Sequence, residues 1–176
     1  MPNPTFRLAT LPDARAIALM SRELIETGLS GWIWDPQRVI RSIQARDIVV
    51  LVAAVQNSVA GFAIMQFGDT QSHLSLLAVQ SRYQRCGIGR QMMAWLEESA
   101  LTAGIATVSL ELRAGNHAAR DFYRVLGFRE TAYLPGYYRG KETALRMSRD
   151  IRRQDVRPHP LTGRGPVIRP GGLWAE

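Results

Sequence analysis

The sequence predicts a single mixed α/β domain, and three observations carry that prediction. IVVLVAAV (48–55) is a continuous, β-branched apolar run, the mark of a strand buried on both faces. TVSLELR (107–113) alternates polar and apolar residues throughout, the period of a half-buried strand. Around them lie segments with apolar residues three and four apart that stop at glycine, the pattern of helices. A length of 176 residues suits one domain with a sizeable core.

The elements follow in order. TFRLA (5–9) reads as a short first strand. Thr10-Leu-Pro-Asp13 matches a capping box, in which hydroxyl and carboxylate each satisfy a free backbone N–H. Ile17, Met20, Leu24 and Ile25 then continue at helical spacing to Gly28. Asp35-Pro36 opens a second helix with Val39, Ile40 and Ile43 on one face. IVVLVAAV, a turn at 56–58, VAGFAIMQF (59–67) with Gly61 at a bulge, a turn at 68–72 and HLSLLAVQ (73–80) form an antiparallel meander. A glycine corner leads into a helix carrying Ile88, Met92, Leu96, Ala100 and Ala103, stopped by Gly104. After the strand 107–113, Asn116 caps a helix with Ala119, Phe122, Val125 and Leu126 inward. FRETAYL (128–134) and TALRMSRDI (143–151) close the domain as two strands joined by the loop PGYYRGKE. The order is β-α-α-β-β-β-α-β-α-β-β, a mixed sheet of about seven strands with helices on both faces. Residues 1–151 form the domain; 152–176, rich in Pro, Gly and Arg and without periodicity, read as an extended tail.

Composition narrows the function classes. The chain is 46% hydrophobic and 21% charged, an ordinary globular balance. Its start lacks a secretory pattern and no apolar run is long enough to span a bilayer, so a cytoplasmic protein without membrane contact is expected. One cysteine, Cys86, rules out an intrachain disulfide, and three histidines show no zinc spacing, so no metal is expected. The net charge is +7, of which residues 151–176 supply +3. No helix-turn-helix, zinc-finger or RNP signature accompanies it, which ranks an anionic small ligand above nucleic acid. Dimerisation with a second copy is left open.

The corner VQSRYQRCGIGRQMM (79–93) sits between a strand and a helix. Backbone N–H groups at a helix start are unpaired, the helix dipole adds positive charge there, and glycine admits close approach. Phosphate binding is therefore one reading, and a tight turn with solvated arginines the other. The dinucleotide fingerprint fails, because GIGRQM lacks the third glycine; the P-loop fails, because no Gly-Lys-Ser/Thr is present.

Gln84-Arg-Cys-Gly87-Ile-Gly89 matches Q/R-x-x-G-x-G/A, and NHAARDFYRVLGF (116–128) resembles N-x-x-A-x-x-x-Y-x-x-x-G-F. With LLAV just upstream of the corner, the chain over about residues 5–150 resembles the GNAT N-acetyltransferases. YQRCGIGRQMM, LELRAGNHAARDFY and the two-tyrosine loop resemble its RimI-type branch, the ribosomal-protein N-terminal alanine acetyltransferases. GLSGWIWDPQRV (28–39) departs from that branch's substrate loop.

The resemblance implies a GNAT-like fold and transfer of acetyl from acetyl-CoA to a primary amine in one ternary complex. It implies that backbone amides of Arg85, Cys86, Gly87, Ile88, Gly89 and Arg90 hold the pyrophosphate. Leu77, Ala78 and Val79 would pair with the pantetheine, with an N–H near Val79 polarising the carbonyl, and Asn116 would add a CoA contact. It implies Glu111 as base and Tyr123 as acid. On sequence alone Glu111 reads first as a solvated residue on a polar strand face, which the resemblance reverses, and Tyr123 as a core aromatic. His73 is the reserve base. Deprotonating an ammonium at neutral pH asks of Glu111 a raised pKa or a water relay. Tyr137 and Tyr138 would bound the acceptor's entry, with Trp32 and Trp34 walling the other side. An acyl-cysteine on Cys86 is set aside, because that position lies at the phosphates. The acceptor is a protein N-terminus or a small amine such as an amino acid, polyamine or antibiotic. A non-catalytic acyl-CoA-binding regulatory domain is the third reading.

Overall fold

The structure, a computed structural model, describes residues 3–152, so the tail expected at 152–176 lies outside the described residues apart from Arg152. Seven strands make one sheet: β1 (Thr5–Leu8), β2 (Ile48–Val55), β3 (Ser58–Phe67), β4 (Gln71–Val79), β5 (Thr107–Arg113), β6 (Arg129–Tyr138) and β7 (Glu142–Asp150). Their spatial order is β1-β2-β3-β4-β5-β7-β6. The four helices are α1 (Ala14–Leu24), α2 (Pro36–Gln44), α3 (Ile88–Thr102) and α4 (His117–Val125). The element order is the expected one.

The continuous apolar strand explains the two layers. Val49, Leu51, Ala53 and Val55 of β2 pack with Met92, Met93 and Leu96 of α3. The intervening Val50, Val52 and Ala54 pack with Ile17 and Ala18 of α1 and Val39 of α2. Successive strand residues face opposite sides, so a strand covered on both must be apolar throughout. The β2–β3 hairpin turns through Gln56 (φ 49°) and Asn57 (φ 63°), the left-handed pair that matches strand twist. The Asp35 carboxylate accepts from the Arg38 N–H at 2.8 Å and starts α2.

Two expectations change. β6 runs on to Tyr138, so Tyr137 and Tyr138 end a strand, and only a tight turn with Arg139 and Gly140 at positive φ separates it from β7. A break in the β6–β7 register between Leu134 and Tyr138 absorbs Pro135 and Gly136, the residues that looked like a loop. On α4, Val125 is 71% exposed and Tyr123 is buried. The inner stripe is Ala119, Phe122, Tyr123 and Leu126, the three-and-four spacing one register away from Val125.

β4 controls the site. It pairs antiparallel with β3 along its length, but parallel with β5 only from Gln71–Leu74 to Thr107–Leu110. Beyond that the two strands part. A bulge at Ser75, where Ile64 faces Leu76 and Met65 faces Leu74, reverses the side-chain alternation. Leu74 packs toward α3, whereas Leu76 and Ala78 pack toward α1 and α2. His73 therefore faces the α1/α2 side, and Leu77 and Val79 face α3.

Candidate active site

The parting of β4 and β5 leaves backbone groups without a strand partner. The Gln80 N–H goes to Ala60 of β3 at 2.8 Å, so the neighbouring Val79, and Leu77 beyond Ala78, turn theirs into the opening. The Gln84 side-chain amide donates to the Val79 carbonyl at 2.9 Å, which confirms that direction. An amide-bearing chain laid there would find the hydrogen-bonding edge of a missing strand.

At the end of β4 the corner enters α3. Gly87 is its N-cap at φ +81°, and no side chain caps the helix. The first amides of α3 are thus without intrahelical or side-chain acceptors. Arg85 also has positive φ (62°), and such alternation turns successive N–H groups toward one concavity that suits an anion. Gly89 is glycine for another reason: a Cβ there would lie 3.3 Å from Phe122 of α4 and 3.8 Å from Leu77. The open edge, the uncapped helix start and the left-handed pair fit the pantetheine arm and pyrophosphate of a coenzyme A thioester. Leu77, Ala78 and Val79 would hold the first, and Arg85 to Arg90 the second.

Asn116 caps α4, its side-chain oxygen accepting from the Ala119 N–H at 3.1 Å. This brings Phe122 against Gly89 and sets Tyr123 beside it, edge-on, at 5.0 Å between ring centres. Phe128 holds the other side of Tyr123 at 5.5 Å. Among the described residues nothing hydrogen-bonds the Tyr123 hydroxyl. Burial, with Tyr138 nearby, pushes the phenol well above its ordinary range, so it stays protonated.

On the α1/α2 side, Glu111 of β5 lies in a groove of about 630 Å³ that also takes in His73, Ser109, Thr131 and Arg146. Its side chain is 5% exposed, and both oxygens are engaged. His73 Nε2 is 2.5 Å from one, and Arg146 Nε donates to the other at 2.7 Å. The hydrogen bond with His73 outweighs burial and, with Arg146, holds the carboxyl below its usual range. This is opposite to the raised value that direct proton abstraction asks for, and sequence could not show it, because both partners come from other strands. Burial, followed by neighbouring charges that include Glu111, raises Tyr137, and raises Tyr138 to about 12. These two rings meet edge-on at 5.1 Å beside the groove.

Trp32 and Trp34 lie in the α1–α2 connection, both packed against the second core, with Arg22 over one ring and Arg38 over the other. Buried Glu26 organises that connection, accepting from the N–H groups of Ile33 and Trp34 and from Ser21. Arg113 of β5 clamps it from below by donating to the carbonyls of Ile25 and Thr27. The connection therefore borders the same end of the sheet as Tyr137 and Tyr138. Glu26, Arg113 and Arg146 were missed by sequence reasoning; the polar faces of β5 and β7 were the only signal for the two arginines, and Glu26, in the α1–α2 connection, carried none. Cys86 is half-buried in the corner, away from Tyr123 and Glu111 in sequence and element.

Among the described residues no cluster of His, Cys, Asp and Glu could hold a metal ion, and no helix is long and apolar enough to cross a membrane.

Comparison with known proteins points to one family and fold. The model of the acetyltransferase (GNAT) family matches residues 16–128. The ribosomal protein bS18-alanine N-acetyltransferase of Escherichia coli strain K12 is 38% identical over 130 residues, which is 72% of this chain and 87% of that protein. The crystal structure of the Escherichia coli ribosomal-protein-S18-alanine N-acetyltransferase superposes with a TM-score of 0.71 at 27% identity, covering 92% of this chain and all of that one. Ard1 from Thermoplasma volcanium superposes at 0.72 and 26% identity, covering 84% and 97%.

Proposed function

The chain belongs to the GNAT acetyltransferase family and is an acetyl-CoA-dependent N-acetyltransferase, and from that premise we propose that its acceptor is the α-amine of a protein N-terminus. The observation that carries the acceptor is the 38% identity, across most of both chains, to an enzyme that acetylates the alanine terminus of a ribosomal protein. The open, polar groove beside Glu111 supports it, since it can admit the end of a polypeptide.

Acetyl-CoA supplies the activated acetyl group. In this reading the β4 edge from Leu77 to Val79 and the amides of Arg85, Cys86, Gly87, Ile88, Gly89 and Arg90 bind it, with Asn116 as a further contact. The Val79 N–H, turned into the opening, polarises the thioester carbonyl. Tyr123, protonated and without a hydrogen-bond partner among the described residues, gives a proton to the departing sulfur. The Glu111 site receives the acceptor's ammonium proton. Tyr137 and Tyr138 bound the entry on one side, and the connection carrying Trp32 and Trp34 bounds it on the other.

The test is an acceptor screen with purified protein: short peptides with free N-termini alongside amino acids, polyamines and aminoglycosides, read by CoA release and mass spectrometry. Acetylation of peptide α-amines is the expected result. Turnover of small amines alone would replace the acceptor, and acetyl-CoA binding with no turnover of any amine would make this a regulatory domain.

A further inference from the structure

We propose that Arg139, in the turn between β6 and β7, selects the acceptor by charge, favouring a polypeptide with a carboxylate side chain at its second or third residue. The inference rests on the N-terminal reading and deepens it, from the reacting amine to the residues that follow.

Arg139 is an uncompensated cation. It is exposed, and among the described residues its guanidinium has neither a hydrogen-bond acceptor nor an ion-pair partner. The arginines around it are paired: Arg113 meets Glu142 at 3.7 Å, and Arg146 meets Glu111 at 2.7 Å. A planar guanidinium whose N–H donors lack acceptors is matched to a carboxylate in both charge and shape.

The turn aims it. The Gly140 N–H donates to the Gly136 carbonyl at 2.8 Å, and the Lys141 N–H to the Tyr138 carbonyl at 3.0 Å, so the backbone is tied on both sides of Arg139. Arg139 itself has φ 56°, the left-handed region that Asn, Asp and Gly fill most readily in such turns. Local turn chemistry therefore gives no reason for an arginine here. The side chain crosses to the α1–α2 connection, where a Cβ on Gly31 would lie 3.1 Å from Nη2 and 3.7 Å from Cζ. Gly31 leaves the space in which the guanidinium rests. Arg139 thus lies between the two walls of the entry.

Its place along the chain sets which residue it meets. Tyr137 and Tyr138 are close enough to Glu111 for its charge to act on both, and Arg139 is the next residue. A strand and an extended acceptor both advance about 3.3 Å per residue, so when the first acceptor residue lies beside the tyrosines, the second and third pass the turn.

The charge of the entry is one-sided. On the connection, Arg22 lies over Trp32 and Arg38 over Trp34, neither paired with a carboxylate among the described residues. The acids of these walls are engaged. Glu26 accepts from Ser21 and from the Ile33 and Trp34 N–H groups, Asp35 from the Arg38 N–H, and Glu142 is held by Arg113. Glu23 lines a separate groove with Asp13 and Arg82. An Asp or Glu side chain on the acceptor gains a charge-assisted hydrogen bond at Arg139, whereas a Lys or Arg there meets like charge.

The test uses full-length wild type, Arg139→Ala, Arg139→Lys and Arg139→Glu. The probes are three peptides that begin Ala-Glu-Glu, Ala-Ala-Ala or Ala-Lys-Lys and continue in one common neutral sequence. Affinity is read by isothermal titration of the CoA-saturated protein, which needs no turnover, and kcat and KM by CoA release. Wild type should bind the acidic peptide about tenfold more tightly than the neutral one and the basic one most weakly, with the difference in KM rather than kcat and shrinking at high salt. Arg139→Ala should bring the acidic peptide to within about threefold of the neutral one. Arg139→Lys should keep the order, and Arg139→Glu should invert it. Equal affinities in wild type, or a preference for the basic peptide, overturn the proposal. So does an Arg139→Ala protein that weakens all three peptides alike, the mark of a residue that only shapes the turn. Acetylation of small amines and of none of the peptides would defeat the N-terminal reading separately. The same titration then decides on glutamate against spermidine: a preference for glutamate that Arg139→Ala removes upholds the role of Arg139, and a preference for spermidine overturns it.

Discussion

Replacing Gly87 tests whether the corner works through its backbone. At φ +81° the residue lies where only glycine rests without strain. Space is not the obstacle, since a Cβ there would meet nothing nearer than Gln91 Nε2 at 3.7 Å. Alanine therefore brings a conformational cost alone, about 1–2 kcal/mol for an L-residue in the left-handed region. Gly87 and Arg85 are solvent-exposed, so the free protein can relieve this by letting the turn relax. The cost then returns when the amides must converge on the ligand. At a factor of ten per 1.4 kcal/mol, Gly87→Ala should weaken acetyl-CoA binding about 5- to 30-fold with little change in melting temperature. Gly87→Val, β-branched in the same region, should abolish measurable binding. Gly89→Val should abolish it too, through Phe122. Isothermal titration with acetyl-CoA, beside thermal unfolding, separates binding from stability. Wild-type affinity, within about twofold, in Gly87→Ala would refute the backbone-cradle account.

Further outcomes are specific. Tyr123→Phe removes a hydroxyl without a partner among the described residues, so stability should hold while kcat falls at least about tenfold with acetyl-CoA affinity unchanged; kcat within about threefold would remove Tyr123 from the chemistry. Cys86→Ala should keep most activity, and loss of turnover with intact acetyl-CoA binding would reopen a covalent route. Arg82→Ala should be mild, because among the described residues its guanidinium bonds Gln80 and lies over the ring of half-buried Tyr83; a loss equal to that of Gly87→Ala would shift the cradle to side-chain charge. The hydrogen bonds from Arg7, outweighing burial, draw the Asp13 carboxyl down to about 2. Its folded value lies below its unfolded one, so the stabilisation is present above the ordinary carboxylate value and is lost as pH falls through about 2. Asp13→Asn should cost on the order of 2 kcal/mol at neutral pH, and the gap to wild type in urea unfolding should close between about pH 4 and pH 2. A gap independent of pH would refute the ion pair as its source.

Much of the fold was legible because its signals are local. Every strand and helix carried its own period or cap, from Asp35-Pro36 to Asn116, and local hydrogen bonds decide those ends wherever the chain goes afterwards. The reading slipped where a distant partner overrode local chemistry. Pro135, Gly136 and Gly140 signal a loop, yet pairing with β7 extends β6 to Tyr138. Val125 fits a helical stripe as well as Tyr123 does, and only the sheet and α3 choose which one is buried.

The site divides along the same line. The sequence by itself determined the corner, because a glycine N-cap and the amides of the next turn are contiguous and need no partner. It also determined which residues are available for chemistry: Glu111 on a polar strand face, Tyr123 on a short helix, His73 on the strand before. Only the tertiary structure decided what each can do. The parting of β4 from β5 creates the open edge, and the bulge at Ser75 turns His73 away from Leu77 and Val79. The charge on Glu111 is set by His73 and Arg146, which lie 38 and 35 residues away in the chain. A carboxylate's strength as a base depends on what lies within a few ångströms of its oxygens, and that is a property of the folded sheet.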